Sequence, residues 1–229
     1  MTQSKPHNSL RDPDVARVLD RMYRGANADM LRIAFRAPSV VLHFVGLRKM
    51  TDDVLSHAMR EMYLPVSRSQ GEMLYLVARS IGARRVVEFG TSFGISTMYL
   101  AAAVKDNGGD TVVGTELDAG KRDAANANLA EAGLGSFANV LLGDALKTLV
   151  DVEGPIDMVL LDGWKEGYLP AIELLTPKLR PRAVVLADNI FRFERALRPY
   201  VEHMQSGNHG FVSSTLEIAD GFEMSVFTG

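Results

Sequence analysis

The stretch VVEFGTSFGIS (residues 86–96) decides the fold of this chain. It begins as a short apolar run, turns at Gly90 and Gly94, and continues into a helical pattern over residues 97–104. Such a strand, glycine turn and helix form the first unit of an open α/β sheet that binds a ligand at its carboxyl edge. The dinucleotide fingerprint GxGxxG is absent, and a carboxylate, Glu88, precedes the turn. Because a carboxylate repels a pyrophosphate, we expect Glu88 to orient a cationic, amine-bearing ligand.

Two further acids follow the next two predicted strands. Glu116 ends the run 112–115 and lies 28 residues after Glu88, and Asp144 follows the run 140–143 at the same interval of 28. An acid at the second strand end accepts hydrogen bonds from a ribose diol, and Asp144 is placed to meet an adenine amino group. Each acid alone is more simply a turn residue or a helix cap. Together they predict a nucleoside site, and S-adenosylmethionine (SAM) carries both an ammonium and a sulfonium.

A second group of polar residues follows two later apolar runs. The segment DGWK (162–165) comes after residues 158–161, and Asp188 and Asn189 come after residues 183–187. The ends of parallel strands meet at one edge of a sheet, where open α/β folds place their chemistry. Two carboxylates and an amide are hard oxygen donors that suit a magnesium-like ion, and Lys165 is close enough to act as a base. The simpler interpretation is ordinary polar residues at strand ends.

From about residue 64 to residue 229 the chain resembles catechol O-methyltransferase and the related caffeoyl-CoA-type, metal-dependent O-methyltransferases. The resemblance rests on short segments, of which LDGWK and LADN are the most specific. The matching segments are VS (66–67) with Gly71, EFG (88–90), Glu116, GDA (143–145), LDGWK (161–165) with YLP (168–170), LADN (186–189) and DG (220–221).

The resemblance implies a doubly wound, Rossmann-like α/β sheet of seven strands with an antiparallel last strand. It implies SAM as methyl donor, Lys165 as general base and Mg²⁺ or another divalent cation at Asp162, Asp188 and Asn189. Trp164 is expected as an aromatic wall for the substrate. The expected cofactor contacts are Val66, Glu88, Gly90, Ser96, Glu116, Asp144, Ala145, Asp162 and Trp164.

Two positions depart from the catechol O-methyltransferase pattern. Gly163 stands where that family has a histidine next to the adenosine. The late carboxylate that contacts the second catechol hydroxyl falls on or near Ser214, and Glu217 is close in sequence without taking that role. Methyl transfer does not depend on these positions, so we expect them to affect the choice of acceptor.

Composition agrees with an ordinary α/β enzyme. The 229 residues are 47% hydrophobic, carry a formal net charge of −3 and include no cysteine, so disulfides and thiolate chemistry are excluded. There is no basic patch of the kind that binds nucleic acid, and no apolar run reaches the roughly 18 residues of a membrane span. Residues 1–10 lack a signal-peptide core. We therefore expect a cytoplasmic protein that binds neither nucleic acid nor membrane.

Two units are predicted: an N-terminal helical segment (1–63), acting as a lid or dimer contact, and a SAM-dependent methyltransferase domain (64–229). Asp12 and Pro13 predict the start of a helix, and Thr51 predicts another. The apolar run 38–47 is more simply a buried core segment than a lid over the substrate or a dimer contact. A homodimer is a guess from the unplaced apolar faces of these helices.

The leading hypothesis is a SAM- and metal-dependent O-methyltransferase that acts on one hydroxyl of a small, phenolic, catechol-like acceptor. A non-catalytic nucleoside- or SAM-binding module is the alternative, although pure binding has no need of Lys165. A nicotinamide-dependent oxidoreductase is disfavoured by the missing GxGxxG motif.

Overall fold

The computed structural model describes residues 7–36 and 66–229, with side chains up to Ala26 in the first helix. The predicted helix at Thr51 and the apolar run 38–47 lie outside these ranges. Within the described ranges, no helix is both long enough and apolar enough to span a bilayer.

Strands and helices alternate through the second range, as the sequence predicts. The helices are α1 (Pro13–Arg36), α2 (Arg68–Ser80), α3 (Ile95–Asp106), α4 (Ala119–Glu131), α5 (Ala145–Thr148), α6 (Tyr168–Leu175) and α7 (Glu194–Gln205). The strands are β1 (Arg85–Phe89), β2 (Thr111–Glu116), β3 (Ala138–Leu142), β4 (Ile156–Leu161), β5 (Leu179–Asp188), β6 (Phe211–Leu216) and β7 (Phe222–Phe227).

The seven strands form one sheet in the order β3-β2-β1-β4-β5-β7-β6. The first five strands are parallel, whereas β7 runs antiparallel to both of its neighbours. The order reverses between β1 and β4, which makes this the switch point where open α/β sheets bind ligands. The predicted doubly wound, seven-stranded sheet with an antiparallel last strand is confirmed.

The strand register sets which residues meet at the carboxyl edge. Phe89 of β1 pairs with Thr115 of β2 and with Leu161 of β4, and Leu161 pairs with Ala187 of β5. The residues that follow these pairs therefore emerge side by side from the edge. Asp162 and Asp188 are brought together in this way, across the β4–β5 contact.

The hydrophobic core lies on both faces of the sheet. One face is covered by α1 to α4 and the other by α5 to α7. The first ten residues of α3 are all buried, which agrees with a sequence that is mostly apolar on every side rather than amphipathic. In α1, Val15, Val18 and Leu19 are buried within the same core. The apolar face of this part of the N-terminal segment is therefore buried against the rest of the chain.

Candidate active site

A cavity of about 1090 Å³ opens at the carboxyl edge of the sheet. One end is lined by the loop after β1 and the exits of β2 and β3, and the other by the exits of β4 and β5. The lining contains the predicted residues Val66, Gly90, Ser96, Glu116, Asp144, Ala145, Asp162, Trp164, Lys165, Asp188 and Asn189. Glu88 is the predicted residue that the lining does not include.

Gly90 makes possible the close approach of the β1 and β4 exits. Its φ of +95° is in the left-handed region, which a glycine adopts without steric cost. A Cβ at this position would lie 2.4 Å from the Cα of Gly163 and 2.6 Å from the carbonyl oxygen of Asp162. The two loops thus touch backbone to backbone, and the contact joins the expected cofactor end of the cavity to Asp162.

Glu88 lies under the glycine turn, fully buried. Its Oε2 accepts hydrogen bonds from the hydroxyls of Thr91, at 3.0 Å, and Thr97. Its Oε1 is buried without a hydrogen-bond partner among the described atoms. Burial raises the pKa of this carboxyl to about 7, against the opposing effect of the nearby hydroxyls. The expected role toward an amine-bearing ligand stays a prediction, and the observed contacts hold the turn in place.

A glycine in β2 makes room for this arrangement. A Cβ at Gly114 would lie 2.3 Å from Thr91 Oγ1 and 3.4 Å from Glu88 Oε2. A glycine inside a strand often marks a close approach of this kind, and that signal was available in the sequence. Gly114 therefore leaves the space that Thr91 and Glu88 occupy, a role that the sequence analysis did not predict.

The two acids expected at the nucleoside are both fixed by backbone amides. Glu116 accepts from the N–H of Ser92 through Oε2 and from the N–H of Asp118 through Oε1, both at 2.9 Å. Asp144 caps α5 by accepting from the N–H of Leu146 at 3.0 Å. Both side chains line the cavity as well. Asp144 is thus the helix cap of the simpler interpretation, and its contact with adenine stays a prediction.

At the other end of the cavity, Lys165 is held against Asp162 and Tyr168. Its Nζ lies 3.6 Å from Asp162 Oδ1 and donates a hydrogen bond to Tyr168 Oη at 2.7 Å. The Tyr168 hydroxyl in turn donates to the backbone carbonyl of Asp188 at 3.2 Å. The Lys165 side chain is only 7% exposed, so this is a placed amine rather than a solvated surface lysine.

Burial sets the ionisation of this group of residues. It lowers the pKa of Lys165, while the carboxylates of Asp162 and Asp188 oppose the shift. It raises the pKa of Asp162, and it raises that of Asp188 to about 7 with a further contribution from the nearby Asp162 charge. Two carboxyls that disfavour each other's ionisation in a buried site favour binding of a cation between them.

The candidate metal ligands are Asp162, Asp188 and Asn189. Asn189 has a left-handed backbone with φ of +69°, a conformation that asparagine tolerates better than most residues. Within the described ranges no three His, Cys, Asp or Glu side chains group as a metal site, so this set depends on the Asn189 amide oxygen. Two carboxylate groups and an amide fit a small, hard divalent ion that keeps open positions.

The lining also contains residues that had not been predicted as site residues, among them Gln70, Arg192 and Asp220. Arg192 forms an ion pair with Asp220 at 2.7 Å, and both line the cavity near Asp188. Gln70 donates to the Asp188 carboxylate. Ser214 and Glu217 are not among the lining residues, so Asp220 is the late carboxylate that reaches the cavity.

Comparisons with known proteins agree with this geometry. A family model described as "Methyltransferase domain" matches residues 87–190. Catechol O-methyltransferase of Mycobacterium tuberculosis is 38% identical over 130 residues, which cover 56% of this chain and 58% of that protein. Catechol O-methyltransferase of Niastella koreensis is 31% identical over 156 residues, which cover 64% of this chain and 70% of that protein. The chain belongs to the catechol O-methyltransferase family. The matched region spans less than two thirds of the Mycobacterium enzyme.

Solved structures add the cofactor class. An O-methyltransferase from Streptomyces achromogenes, involved in tomaymycin synthesis and solved in complex with SAM, is 28% identical. The match covers 83% of this chain and 96% of that chain, with a TM-score of 0.68. The family and the fold of this chain are therefore those of SAM-dependent O-methyltransferases, which disfavours the nicotinamide alternative.

Proposed function

We propose that this O-methyltransferase moves the methyl group of SAM to one hydroxyl of a small, catechol-like acceptor, with Lys165 as the base. The proposal includes a divalent ion such as Mg²⁺ held by Asp162, Asp188 and Asn189. The observation behind it is that two carboxylates, the buried Asp188 and the 19% exposed Asp162, emerge from neighbouring strands, with the Lys165 amine 3.6 Å from Asp162. A module that only binds a nucleoside has no use for this group.

The two ends of the cavity suit the two reactants. SAM is placed along the β1 to β3 exits, where Gly90, Glu116 and Asp144 line the wall. We place the acceptor beside Trp164 and Phe193, two aromatic residues of the lining, because aromatic side chains suit contact with a phenol ring. Holding the acceptor oxygen about 3 Å from the methyl carbon supplies much of the rate of such a transfer.

Lys165 is suited to take the phenolic proton. A phenol has a pKa near ~10, so little of it is ionised at neutral pH. Burial shifts the Lys165 pKa downward, which raises the share of neutral amine able to accept a proton. Tyr168 accepts one N–H of that amine and so limits the directions in which its lone pair can point. The acceptor oxygen then forms a bond to the methyl carbon while the carbon–sulfur bond breaks, which leaves S-adenosylhomocysteine.

The chemistry that a divalent ion supplies at such a site is stabilisation of the negative charge on the acceptor oxygen. Two adjacent hydroxyls chelate an ion where a single hydroxyl cannot, which is the reason to expect vicinal diols as acceptors. The Asp162 and Asp188 carboxylates and the Asn189 amide would hold the ion, with Lys165 beside them. The homodimer and the cytoplasmic location stay predictions from the sequence.

The test is a pair of variants in a methyl-transfer assay with SAM and a catechol. Lys165→Met is expected to lower kcat by about 10²–10⁴-fold, the usual contribution of a general base, with the Kd for SAM changed by less than roughly threefold. Asp162→Asn is expected to abolish turnover because it removes a charged ligand. Lys147→Met, on the exposed side of α5, is the control for loss of a lysine. Normal turnover in Lys165→Met and Asp162→Asn would overturn the proposed mechanism.

A further inference from the structure

Gln70 connects the start of α2 to the proposed metal site. It is the third residue of that helix and is 7% exposed. Its Oε1 accepts a hydrogen bond from the backbone N–H of Ser67 at 2.8 Å, and the backbone N–H of Gln70 donates to Ser67 Oγ at 3.2 Å. These reciprocal bonds form a capping box, which satisfies two amides at the helix start.

The other end of the Gln70 amide is not needed for the cap. Its Nε2 donates to Asp188 Oδ2 at 3.3 Å, across 118 residues of sequence. A capping box needs only an acceptor at this position, and a glutamate provides one equally well. The NH₂ group is what distinguishes glutamine from glutamate, and here it faces the carboxylate at the β5 exit.

Asp188 is thereby held through both of its carboxylate oxygens. Oδ1 accepts from the backbone N–H of Asn189 at 2.6 Å, and Oδ2 accepts from Gln70. Each carboxylate oxygen has two acceptor positions, so one bond to each still leaves a position free for a ligand. The two donors fix the plane of the carboxylate and hence the direction of the remaining lone pairs.

We infer that Gln70 is a positioning residue, which orients Asp188 for divalent-ion binding. The inference rests on the proposed function, since it assumes that Asp188 is a ligand. Groups that hydrogen-bond to metal ligands fix ligand geometry, and their loss typically weakens metal binding by about 10–100-fold. The 3.3 Å contact is long for an N–H···O bond, so an effect near tenfold is expected.

The experiment measures Mn²⁺ binding directly, by the loss of the free-ion signal in electron paramagnetic resonance. Gln70→Met and Gln70→Leu keep an apolar chain of similar length and remove the donor. Ser67→Ala is the matched control, because it breaks one bond of the capping box and leaves the Gln70 contact with Asp188 in place. Thermal unfolding of each variant reports the loss of the cap.

Both Gln70 variants are expected to weaken Mn²⁺ binding by about tenfold, whereas Ser67→Ala binds Mn²⁺ as the wild type does. The activity readout is a rise in the KM for metal, with kcat largely restored at saturating Mn²⁺. If the Gln70 variants and Ser67→Ala bind Mn²⁺ equally well, the inference fails and Gln70 is only a capping residue. If the wild-type protein binds no Mn²⁺, the proposed metal site fails and the inference fails with it.

Discussion

Replacing Gly90 by alanine tests whether the backbone contact between the β1 and β4 exits holds the site together. The new Cβ would lie 2.4 Å from Gly163 Cα and 2.6 Å from both the Gly163 nitrogen and the Asp162 carbonyl oxygen. All three are backbone atoms, so no side chain can rotate away. Ordinary contact between carbon atoms needs about 3.5 Å, and the two exits must therefore separate by roughly 1 Å.

Two costs follow from that separation. Alanine in the left-handed region at φ of +95° costs about 1–2 kcal/mol, and forcing an extra carbon into a packed contact costs about 1–3 kcal/mol more. We expect Gly90→Ala to lose about 2–5 kcal/mol of unfolding free energy. A 1 Å displacement of reacting groups can cost about 10²-fold in rate, so kcat/KM is expected to fall by about that factor.

Gly133→Ala separates strain from contact. Gly133 also has a positive φ, of +68°, but a Cβ there meets no atom within 4 Å. It lies two residues beyond the end of α4 and is not among the lining residues. Both variants are measured by urea unfolding and by methyl-transfer kinetics. We expect Gly133→Ala to lose only about 1–2 kcal/mol of unfolding free energy and to keep full activity. A kcat/KM of Gly90→Ala within about threefold of the Gly133→Ala value would refute a role of this backbone contact in holding the site together.

Two other perturbations have clear expected outcomes. Tyr168→Phe keeps the ring packing against Phe89 and Tyr200 but removes the hydroxyl that accepts a hydrogen bond from Lys165. We expect kcat to fall by about tenfold or more, with the Kd for SAM unchanged. An unchanged kcat would show that the hydroxyl does not position the base. In the folded protein Glu88 has a pKa of about 7, against an ordinary value of 4.5. Between these pH values the folded protein therefore keeps a proton on Glu88 that the unfolded chain loses. The stability of the fold falls as pH rises through this range, by up to about 3 kcal/mol from this group. Glu88→Gln cannot ionise and should raise the melting temperature relative to wild type at pH 8 more than at pH 4.5; an equal difference at both pH values would contradict the assigned pKa.

The sheet and the pairing of Asp162 with Asp188 could be predicted because both depend on local patterns. Apolar runs of strand length, each followed by a polar residue, define the strand ends. Parallel pairing then brings those ends to one edge. The sequence also predicts two strands, 211–218 and 222–227, joined by a tight turn at Asp220 and Gly221. The hairpin of β6 and β7 confirms this prediction, again because the turn signal is local.

Boundaries set by tertiary hydrogen bonds could not be predicted. The sequence predicts a helix from Ile190, but α7 begins at Glu194. The amides of Ile190 and Phe191 donate instead to the carbonyls of Gly221 and Asp220, on the turn between β6 and β7. A bond between segments some thirty residues apart overrides the helical preference of those positions.

The contacts that hold the site residues from other elements could not be predicted from the sequence either. Buried Glu88 accepts a hydrogen bond from Thr97 in the following helix. The contact of Gln70 with Asp188 joins residues 118 positions apart. Sequence spacing indicates which residues share a strand end, but it carries no information about which side chain approaches from another element.

The reaction proposed for this protein is methyl transfer to a vicinal diol at a divalent-ion site. The most direct measurement is mass spectrometry of products formed by the purified protein with SAM and matched catechols and monophenols, in Mg²⁺ or in a chelator. We expect that only the vicinal diols gain one methyl group, and that this gain is lost in the chelator and restored by added Mg²⁺. Methylation that proceeds equally in the chelator, or equally on the monophenols, would contradict it.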